Sequence, residues 1–347
     1  MTNSKWCLLA FGLLVALPRV TLADAPELTR VTPSVGRPDA PTQITLSGTR
    51  LTPQTRLGLL DGGPFLVGQF LMPSNNDANG IALAGERAIV AYFDNFAKIG
   101  GLRVLDISDP VRPEQTAIVE TVDVGLSIDC EGGLAYLASR NPYTFVPGLR
   151  IVDISRPDEP REVSNYFSEG FFWSIDVEQG YAYIARGGEG LEIVDARTPE
   201  APVRAAVRPI EGVALEVKAQ GKAAYVAAGP AGLVTFDVAE PTRPEQTASL
   251  SFGGLALGVA IRDDFAYVAD PFLGVHVVDL SDPYHPVWRD TVASTGSPSG
   301  VAFAGDYLLV AEGPQGLRLY DLDDPLRPRL ASGYQDTSSA AFAFDVA

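Results

Sequence analysis

One stretch of this sequence recurs six times, and it constrains the fold more than any other feature. The copy at residues 274–286 reads GVHVVDLSDPYHP, with prolines four and seven residues after its first aspartate. The equivalent aspartates are separated by 47, 42, 42, 42 and 42 residues, and they are Asp106, Asp153, Asp195, Asp237, Asp279 and Asp321. Self-similarity at such a period indicates a repeat architecture in which each copy is one structural unit.

Each unit carries four short strand signals. In the copy that begins at residue 253 they are GLALGVAIR, FAYVAD, VHVVDLS and VWRDTVA, separated by Gly-, Asp- and Pro-rich turns. Four-stranded units with a period of about 40–45 residues are typical of a β-propeller. The proline-rich run is predicted to be the turn between the third and fourth strands, because proline cannot donate a hydrogen bond within a central strand. Its aspartate is expected to accept hydrogen bonds from the amides of that turn.

The two ends of the chain predict the number of blades. LGLLD at residues 57–61 is a degenerate further copy of the repeat, and AFAFDVA at 341–347 resembles the first strand of a unit. We therefore expect an all-β, seven-bladed β-propeller over residues 42–347, with a closing blade shared by 42–71 and 341–347. A ring closed by its N- and C-terminal strands hides sheet edges that would otherwise invite aggregation.

Residues 1–23 have the pattern of a secretory signal peptide. Lys5 precedes the apolar run CLLAFGLLVAL, and TLA at 21–23 offers the small residues of a cleavage site. The run of 11 residues is too short for a transmembrane helix, which needs about 20. The sequence therefore predicts a secreted, periplasmic or cell-surface protein, with residues 24–41 as an N-terminal extension.

The charge of the chain excludes some classes of partner. The formal net charge is −17, and it becomes −19 when Lys5 and Arg19 leave with the predicted signal. Such an acidic protein repels nucleic acid and anionic lipid. We therefore expect no nucleic-acid partner, and no membrane insertion after signal removal.

The residue pattern of the repeat resembles that of a known family. GLRVLDISDP, YVA and GLRIVDIS are similar to the LVIVD-repeat family of secreted and surface propellers, over about residues 56–347. The resemblance implies fold and location, and it brings no catalytic motif that could be transferred. A second resemblance covers residues 27–59, which look like the opening half of an IPT/TIG immunoglobulin-like domain.

The sequence contains no strong catalytic motif. It has no G-x-S-x-G, no zinc-type Cys/His spacing and no phosphate-binding P-loop. The two histidines are His276, assigned by register to an outward position on a third strand, and His285, assigned to a proline turn. The equivalent positions in other units hold residues such as Arg, Glu, Val and Ala. Neither histidine is therefore predicted to be catalytic.

The loops that enter each first strand and those that join strands two and three should share one face of the propeller. These loops are long or aromatic in the first three units, at 92–100, 139–147 and 168–173. Aromatic rings with a few charges suit contact with a protein, a peptide or a glycan. Some of the rings could instead pack their own loops. The predicted ligand-binding face consists of Asp94, Phe96, Arg140, Tyr143, Phe145, Phe171, Phe172, Trp173, Arg186 and Glu189.

Four acids share one register position on the first strands, which should surround the central channel. They are Asp129, Asp176, Glu216 and Asp345. Oxygen ligands of this kind suit calcium or magnesium, so one interpretation is a metal site. The favoured interpretation is structural: each acid forms a hydrogen bond to a neighbouring blade, for example through a tyrosine of a second strand. No cofactor other than calcium is indicated.

Two classes of function follow. The favoured prediction is a noncatalytic binding or adhesion scaffold outside the cytoplasm. The alternative is a propeller hydrolase or lyase with a divalent metal held by the channel carboxylates.

Overall fold

The computed structural model describes residues 5–9, 27–32, 45–49, 66–71, 76–94, 96–109, 112–313 and 315–334. Every named element in these ranges is a β-strand. No helix among the described residues is long and apolar enough to cross a membrane.

Four strands precede the repeats and form two small antiparallel sheets. β1 pairs with β4, and β2 pairs with β3. Their bounds are β1 Lys5–Leu9, β2 Glu27–Thr32, β3 Thr45–Thr49 and β4 Leu66–Leu71.

The repeats form six four-stranded antiparallel sheets, numbered here as blades 1 to 6. Blades 1 to 3 consist of β5 Asn76–Ala84, β6 Arg87–Asp94, β7 Ile99–Asp106, β8 Glu114–Thr121; β9 Val124–Glu131, β10 Leu134–Arg140, β11 Pro147–Asp153, β12 Arg161–Phe167; β13 Ser174–Glu178, β14 Tyr181–Ala185, β15 Leu191–Asp195, β16 Val203–Arg208. Blades 4 to 6 consist of β17 Glu216–Gln220, β18 Ala223–Ala227, β19 Leu233–Asp237, β20 Glu245–Leu250; β21 Gly258–Arg262, β22 Phe265–Asp270, β23 Gly274–Asp279, β24 Val287–Val292; β25 Gly300–Ala304, β26 Tyr307–Ala311, β27 Leu317–Asp321, β28 Arg329–Tyr334.

The prediction of seven blades is wrong, because the described chain forms six four-stranded blades. The strands of the expected closing blade, β3 and β4, pair instead with upstream strands β2 and β1. Residues 341–347 lie outside the described residues. The physical reason is that a strand-like sequence shows that a segment is extended but does not select its pairing partner, which depends on packing against neighbours.

The blades are arranged around a central channel. The first strands β5, β9, β13, β17, β21 and β25 all contribute to a central cavity of about 310 Å³. The second and third strands are largely buried; every residue of β18, for example, is buried. The fourth strands lie outermost, and the first four residues of β24 are exposed. Burial on both faces explains why the inner strands lack the alternation of a half-exposed sheet.

The hydrophobic core lies between neighbouring blades rather than within one blade. In blades 2 to 5 a buried tyrosine of the second strand packs against the next blade, and these are Tyr136, Tyr183, Tyr225 and Tyr267. Blade 1 has Ile89 at this position, packed against blade 2. Burial of an aliphatic or aromatic side chain of this size contributes about 1.5–3 kcal/mol. The tyrosines therefore stabilise the ring as well as their own sheets.

The repeated aspartate acts as expected in every blade. Its Oδ1 accepts the amide of the residue two positions later at 2.8–3.2 Å, and the donors are Ser108, Ser155, Arg197, Ala239, Ser281 and Asp323. A β-turn follows; in blade 5 the amide of His285 donates to the carbonyl of Asp282 at 3.0 Å. Pro283 occupies the second position of that turn, where its fixed φ is favourable. These contacts explain the conserved spacing within the repeats of this chain.

Candidate functional site

The two ends of the strands present different surfaces. The loops between second and third strands and the connections between blades lie on one face, because strands in each sheet alternate in direction. We call this side the loop face. In blades 2 and 3 it is formed by residues 141–146, 168–173 and 187–190. The opposite side, with the first hairpin and the proline turn of each blade, is called the turn face.

The 141–146 loop is held by Asn141. Its Oδ1 accepts the amides of Tyr143 and Thr144 at 3.0 and 2.9 Å, and its carbonyl accepts the amide of Phe145 at 2.9 Å. Its Nδ2 donates to Asp123 at 3.1 Å. Phe145 has φ = 60°, a left-handed conformation that costs energy for an aromatic residue. The loop therefore holds Tyr143 and Phe145 in defined positions.

Arg140 joins two of the predicted aromatic residues. Its guanidinium lies 5.4 Å from the ring centre of Phe145 and 5.6 Å from that of Phe171. Such cation–π contacts are worth about 0.5–1 kcal/mol at exposed sites. Arg140 thus connects the 141–146 loop to the connection between blades 2 and 3.

Trp173 immediately precedes the first strand of blade 3 and lies beside a glycine. Its amide donates to Ala185 at 2.8 Å, and its indole lies against Gly187. Gly187 has φ = 61° and exchanges two backbone hydrogen bonds with Ala214, at 2.9 and 2.8 Å. A glycine is needed here because a Cβ atom would lie 2.8 Å from the indole nitrogen.

The predicted residues differ in accessibility. Tyr143, Phe145, Phe171 and Trp173 keep between 45% and 69% of their surface exposed. Phe172 is only 1% exposed, because it packs in the core between blades 2 and 3. It can support the loop face but does not contribute to its surface.

Two predicted residues lie in blade 1. Asp94 accepts the amides of Phe96 and Ala97 at 2.8 and 2.7 Å, so it shapes the 96–98 turn. Phe96 is 85% exposed. Blade 1 therefore adds an exposed ring on its own loop.

Arg186 and Glu189 form part of a buried polar network. Arg186 is nearly buried, and its guanidinium pairs with Glu189 at 2.6 Å and with Glu192 at 3.1 Å. Glu192 also accepts from Tyr166 at 2.5 Å and Ser168 at 2.9 Å. Arg186 therefore fixes the geometry beneath the loop face, while Glu189 remains half exposed at its surface.

This network was not expected from the sequence, because the third-strand position of Glu192 is predicted to face outward, whereas Glu192 is fully buried. The equivalent side chains are buried in five blades: Arg103, Arg150, Glu192, Val234 and His276. In blades 3, 5 and 6, the residue six positions before this third-strand residue has a side chain that pairs with it. These pairs are Arg186–Glu192, Asp270–His276 and Glu312–Arg318. Complementary residues six positions apart are the sequence signal that could have revealed the burial.

His276 is also buried, at the position of blade 5 that is equivalent to Glu192. It stacks on Phe252 at 4.1 Å between ring centres, and its ring nitrogens lie 2.8 Å from Thr291 Oγ1 and 3.4 Å from Asp270 Oδ2. Burial lowers the pKa of His276, and Asp270 opposes this effect. His285 is exposed and pairs with Asp282 at 2.8 Å in its turn. Both histidines have structural partners in the described residues.

The channel acids hold neighbouring first strands together. Asp129 accepts the amide of Val177 at 2.7 Å, Asp176 accepts that of Ala219 at 2.8 Å, and Glu216 accepts that of Val259 at 2.7 Å. Each bond joins one blade to the next. The partners are backbone amides and not second-strand tyrosines. Asp345 lies outside the described residues.

One lysine faces these acids. Lys218 Nζ lies 3.1 Å from Asp176 Oδ1. Burial lowers the pKa of Lys218, but Asp176, Glu216 and Asp129 outweigh burial and raise it. Burial, together with Asp176, raises the pKa of Asp129. Within the described ranges, no group of three His, Cys, Asp or Glu side chains is placed to hold a metal ion.

The fold and the repeated contacts define this protein as a six-bladed β-propeller. The chain belongs to the LVIVD-repeat family, whose repeats match residues 76–121, 127–168, 169–203, 211–250 and 253–293. The resemblance to this family predicted from the repeat is thereby confirmed.

Solved structures agree on the fold. A crystal structure of a protein from Lactobacillus plantarum is similar with a TM-score of 0.65 and 12% identity, over 80% of this chain and 90% of that chain. The computationally designed Ika8 protein is similar with a TM-score of 0.53 and 8% identity, over 72% of this chain and 73% of that chain. No curated protein matches the chain. At these identities the structural matches support the fold alone.

Proposed function

We propose that this protein is a noncatalytic binding scaffold that contacts a protein, peptide or glycan through the loop face of blades 2 and 3. The observation that supports the proposal is the group of exposed rings, Tyr143, Phe145, Phe171 and Trp173, positioned by Arg140, Asn141 and Gly187. Exposed, rigidly held aromatic residues are the usual anchors of binding interfaces.

The proposed place of action is outside the cytoplasm. This part of the proposal rests on residues 1–23, whose short charged start and apolar run have the pattern of a signal peptide. Fractionation of cells that express the full chain, with N-terminal sequencing of the product, tests it. A product found outside the cytoplasm and starting near residue 24 is expected. An uncleaved cytoplasmic product would contradict it.

The binding proposal is tested with a glycan array and a pull-down, followed by affinity measurement on the captured partner. The Tyr143→Ala/Trp173→Ala double variant should fold normally and lose more than about 2 kcal/mol of binding free energy, because aromatic anchors dominate interfaces. Phe272→Ala is the control, since Phe272 is an exposed ring in the equivalent loop of blade 5. Unchanged affinity of the double variant would place the binding surface elsewhere.

A further inference from the structure

Arg140 on the loop face has no acidic partner in the part of the chain that the structure describes. Its guanidinium lies against the rings of Phe145 and Phe171. Of its three guanidinium nitrogens only Nε is enclosed, and none has a hydrogen-bond or ion-pair partner among the described residues. By contrast, Arg150 and Arg186 of blades 2 and 3 each pair with two carboxylates. Arg140 is therefore a cation still able to bind an anionic group.

The blade itself does not require an arginine at this position. Arg140 follows Tyr136 by four residues, and the equivalent positions of blades 3, 4 and 6 hold Gly187, Gly229 and Gly313. Blade 2 also has a longer hairpin here: Asp153 follows Tyr136 by 17 residues, whereas the corresponding step is 12 residues in blades 3, 4 and 5. Arg140 thus belongs to the elongated hairpin that carries the exposed rings, which points to a role in binding rather than in forming the blade.

The acids of this region do not neutralise Arg140. Asp123 is paired with Arg150 at 2.6 Å, and Glu189 is paired with an arginine of blade 3 at 2.6 Å. Glu169 lies in the connection between blades 2 and 3 and forms no ion pair with Arg140 in the described part of the chain. A carboxylate from a ligand would therefore meet a guanidinium that is not already engaged by an acid.

The same side of blade 2 exposes further apolar residues. Val122, Val146 and Phe167 are 58%, 42% and 56% exposed. Val122 lies in the connection between blades 1 and 2, Val146 in the 141–146 loop, and Phe167 at the end of β12 beside Gly148. Aliphatic surface of this kind buries apolar side chains of a peptide, whereas sugar hydroxyl groups would lose water there without gaining partners. The surface therefore favours a peptide over a glycan.

The backbone of the loop indicates where the carboxylate of such a peptide lies. Terminal carboxylates are captured by groups of free backbone amides. In this loop the amides of Tyr143 and Thr144 donate to the side chain of Asn141, and the amide of Phe145 donates to its carbonyl. The amide of Val146 donates to the hydroxyl of Thr144. With these amides engaged, a single guanidinium suits the side-chain carboxylate of Glu or Asp rather than a chain terminus.

We propose that the loop face of blade 2 binds a peptide segment of a partner protein in which one Glu or Asp is flanked by apolar residues. This inference rests on the binding function proposed above and narrows its ligand. Arg140 binds the carboxylate through its terminal nitrogens, and the rings of Tyr143, Phe145, Phe171 and Trp173 pack against the apolar side chains. The peptide carries few acids, because a protein with a net charge of −17 repels a polyanion.

The test selects peptides from a phage-displayed random library on the full chain. Selected sequences should be enriched in Glu or Asp beside apolar residues. One selected peptide, acetylated and amidated at its ends, is then made with its acid and with the corresponding amide, Gln or Asn. Calorimetry should show that the acidic form binds about tenfold to hundredfold more tightly, the usual effect of a charge-assisted hydrogen bond. Selection of no peptide, or of peptides without an acidic preference, overturns the proposal.

Variants of Arg140 locate the carboxylate. Arg140→Gln should weaken the acidic peptide about tenfold to hundredfold more than the amide peptide, since any disturbance of the rings affects both peptides alike. Arg140→Lys keeps the charge without the planar fork and should retain part of this preference. Arg243→Gln, at an exposed arginine in the proline turn of blade 4, makes the same change in charge and should alter neither affinity. Equal losses for the two peptides in Arg140→Gln overturn the proposal; if that variant does not fold, Arg140→Lys decides by the same comparison.

The Tyr143→Ala/Trp173→Ala variant separates this inference from the proposed function. If the double variant binds the selected peptide as the wild type does, the loop face is not the binding surface, and both proposals fail. If it loses binding while Arg140→Gln affects the two peptides equally, the loop face binds peptides but Arg140 does not recognise a carboxylate, and only the present inference fails.

Discussion

The carboxylate of Asp129 in blade 2 accepts the backbone amide of Val177 in blade 3 at 2.7 Å. Asp176 makes the equivalent bond to the amide of Ala219, and Glu216 accepts the amide of Val259 two residues earlier along the strands. Four consecutive blades are therefore joined near the axis by acids. Asp129 and Asp176 share one register position, opposite Tyr136 and Tyr183, but in blade 4 this position is held by Lys218, opposite Tyr225, and Glu216 lies two residues earlier. Each acid satisfies an amide at a blade interface, and such amides are costly to leave without a partner.

Replacing Asp129 should destabilise the ring. Asp129→Ala leaves the Val177 amide without its acceptor, and we expect a loss of about 1–3 kcal/mol in the free energy of unfolding. Asp129→Asn keeps an oxygen acceptor and should lower the free energy of unfolding by a smaller amount. Urea unfolding measures both variants. Asp158→Ala, at an exposed acid, is the control and should change stability by less than about 0.5 kcal/mol; equal effects of Asp129→Ala and Asp158→Ala would contradict the interblade role.

Calcium should leave the melting temperature unchanged. The channel acids already accept backbone amides, and Lys218 pairs with Asp176 at 3.1 Å. A metal ion would have to replace these partners. Scanning calorimetry with and without millimolar calcium or magnesium provides the measurement. A rise in melting temperature that Asp176→Asn removes would instead support the metal interpretation.

The sequence predicted the blade and its proline turn because both depend on local chemistry. Asp279 and Pro283 act within a few residues of their own positions, so their spacing alone indicates their roles. The number of blades depends on pairing between distant segments. β4 has a strand-like sequence, yet its partner is β1, which lies within the predicted signal peptide. Strand propensity does not carry that information.

The candidate site was predictable in part for a similar reason. Tyr143 and Trp173 lie on the loop face because loop position follows from strand order. Phe172 lies between them in sequence but is buried, and burial depends on the neighbouring blade. The prediction that Glu192 faces outward rests on the usual exposure of charged residues. Its burial is explained by Arg186, which pairs with it from the loop that follows β14.

Stability should depend on pH through His276. Its pKa is lowered from the ordinary 6.5 by burial, so between that lowered value and 6.5 the unfolded chain binds more protons than the folded protein. The contribution of His276 to stability is therefore present above pH 6.5 and is lost as pH falls through this window. His276→Gln should remove this component of the pH dependence. His285→Gln, at the exposed histidine, should retain it; thermal unfolding at a series of pH values compares them, and identical profiles for wild type and His276→Gln would refute the assignment.

Replacing only one residue of the Arg186–Glu192 pair should lower the free energy of unfolding more than replacing both residues. Glu192→Val leaves Arg186 nearly buried without this partner, and we expect a loss of about 3–5 kcal/mol. Blade 4 shows an apolar alternative, Ala228 with Val234, at the equivalent positions. Arg186→Ala combined with Glu192→Val should therefore recover part of the loss. A double-mutant cycle by urea unfolding checks this, and additive effects would show that the two residues do not act as a pair.

The last prediction concerns the support of Trp173 by Gly187. In Gly187→Ala the new Cβ would lie 2.8 Å from the indole nitrogen, and the backbone keeps φ = 61° only with strain. We expect the indole to move and the free energy of unfolding to fall by about 1 kcal/mol. In protein labelled with fluorotryptophan, the ¹⁹F signal of Trp173 should shift while that of Trp288 in blade 5 stays in place. Gly188→Ala is the matched control, since a Cβ there meets nothing within 4 Å. If both alanine variants leave the Trp173 signal unchanged, Gly187 does not position the indole, and the loop face holds this ring by other contacts.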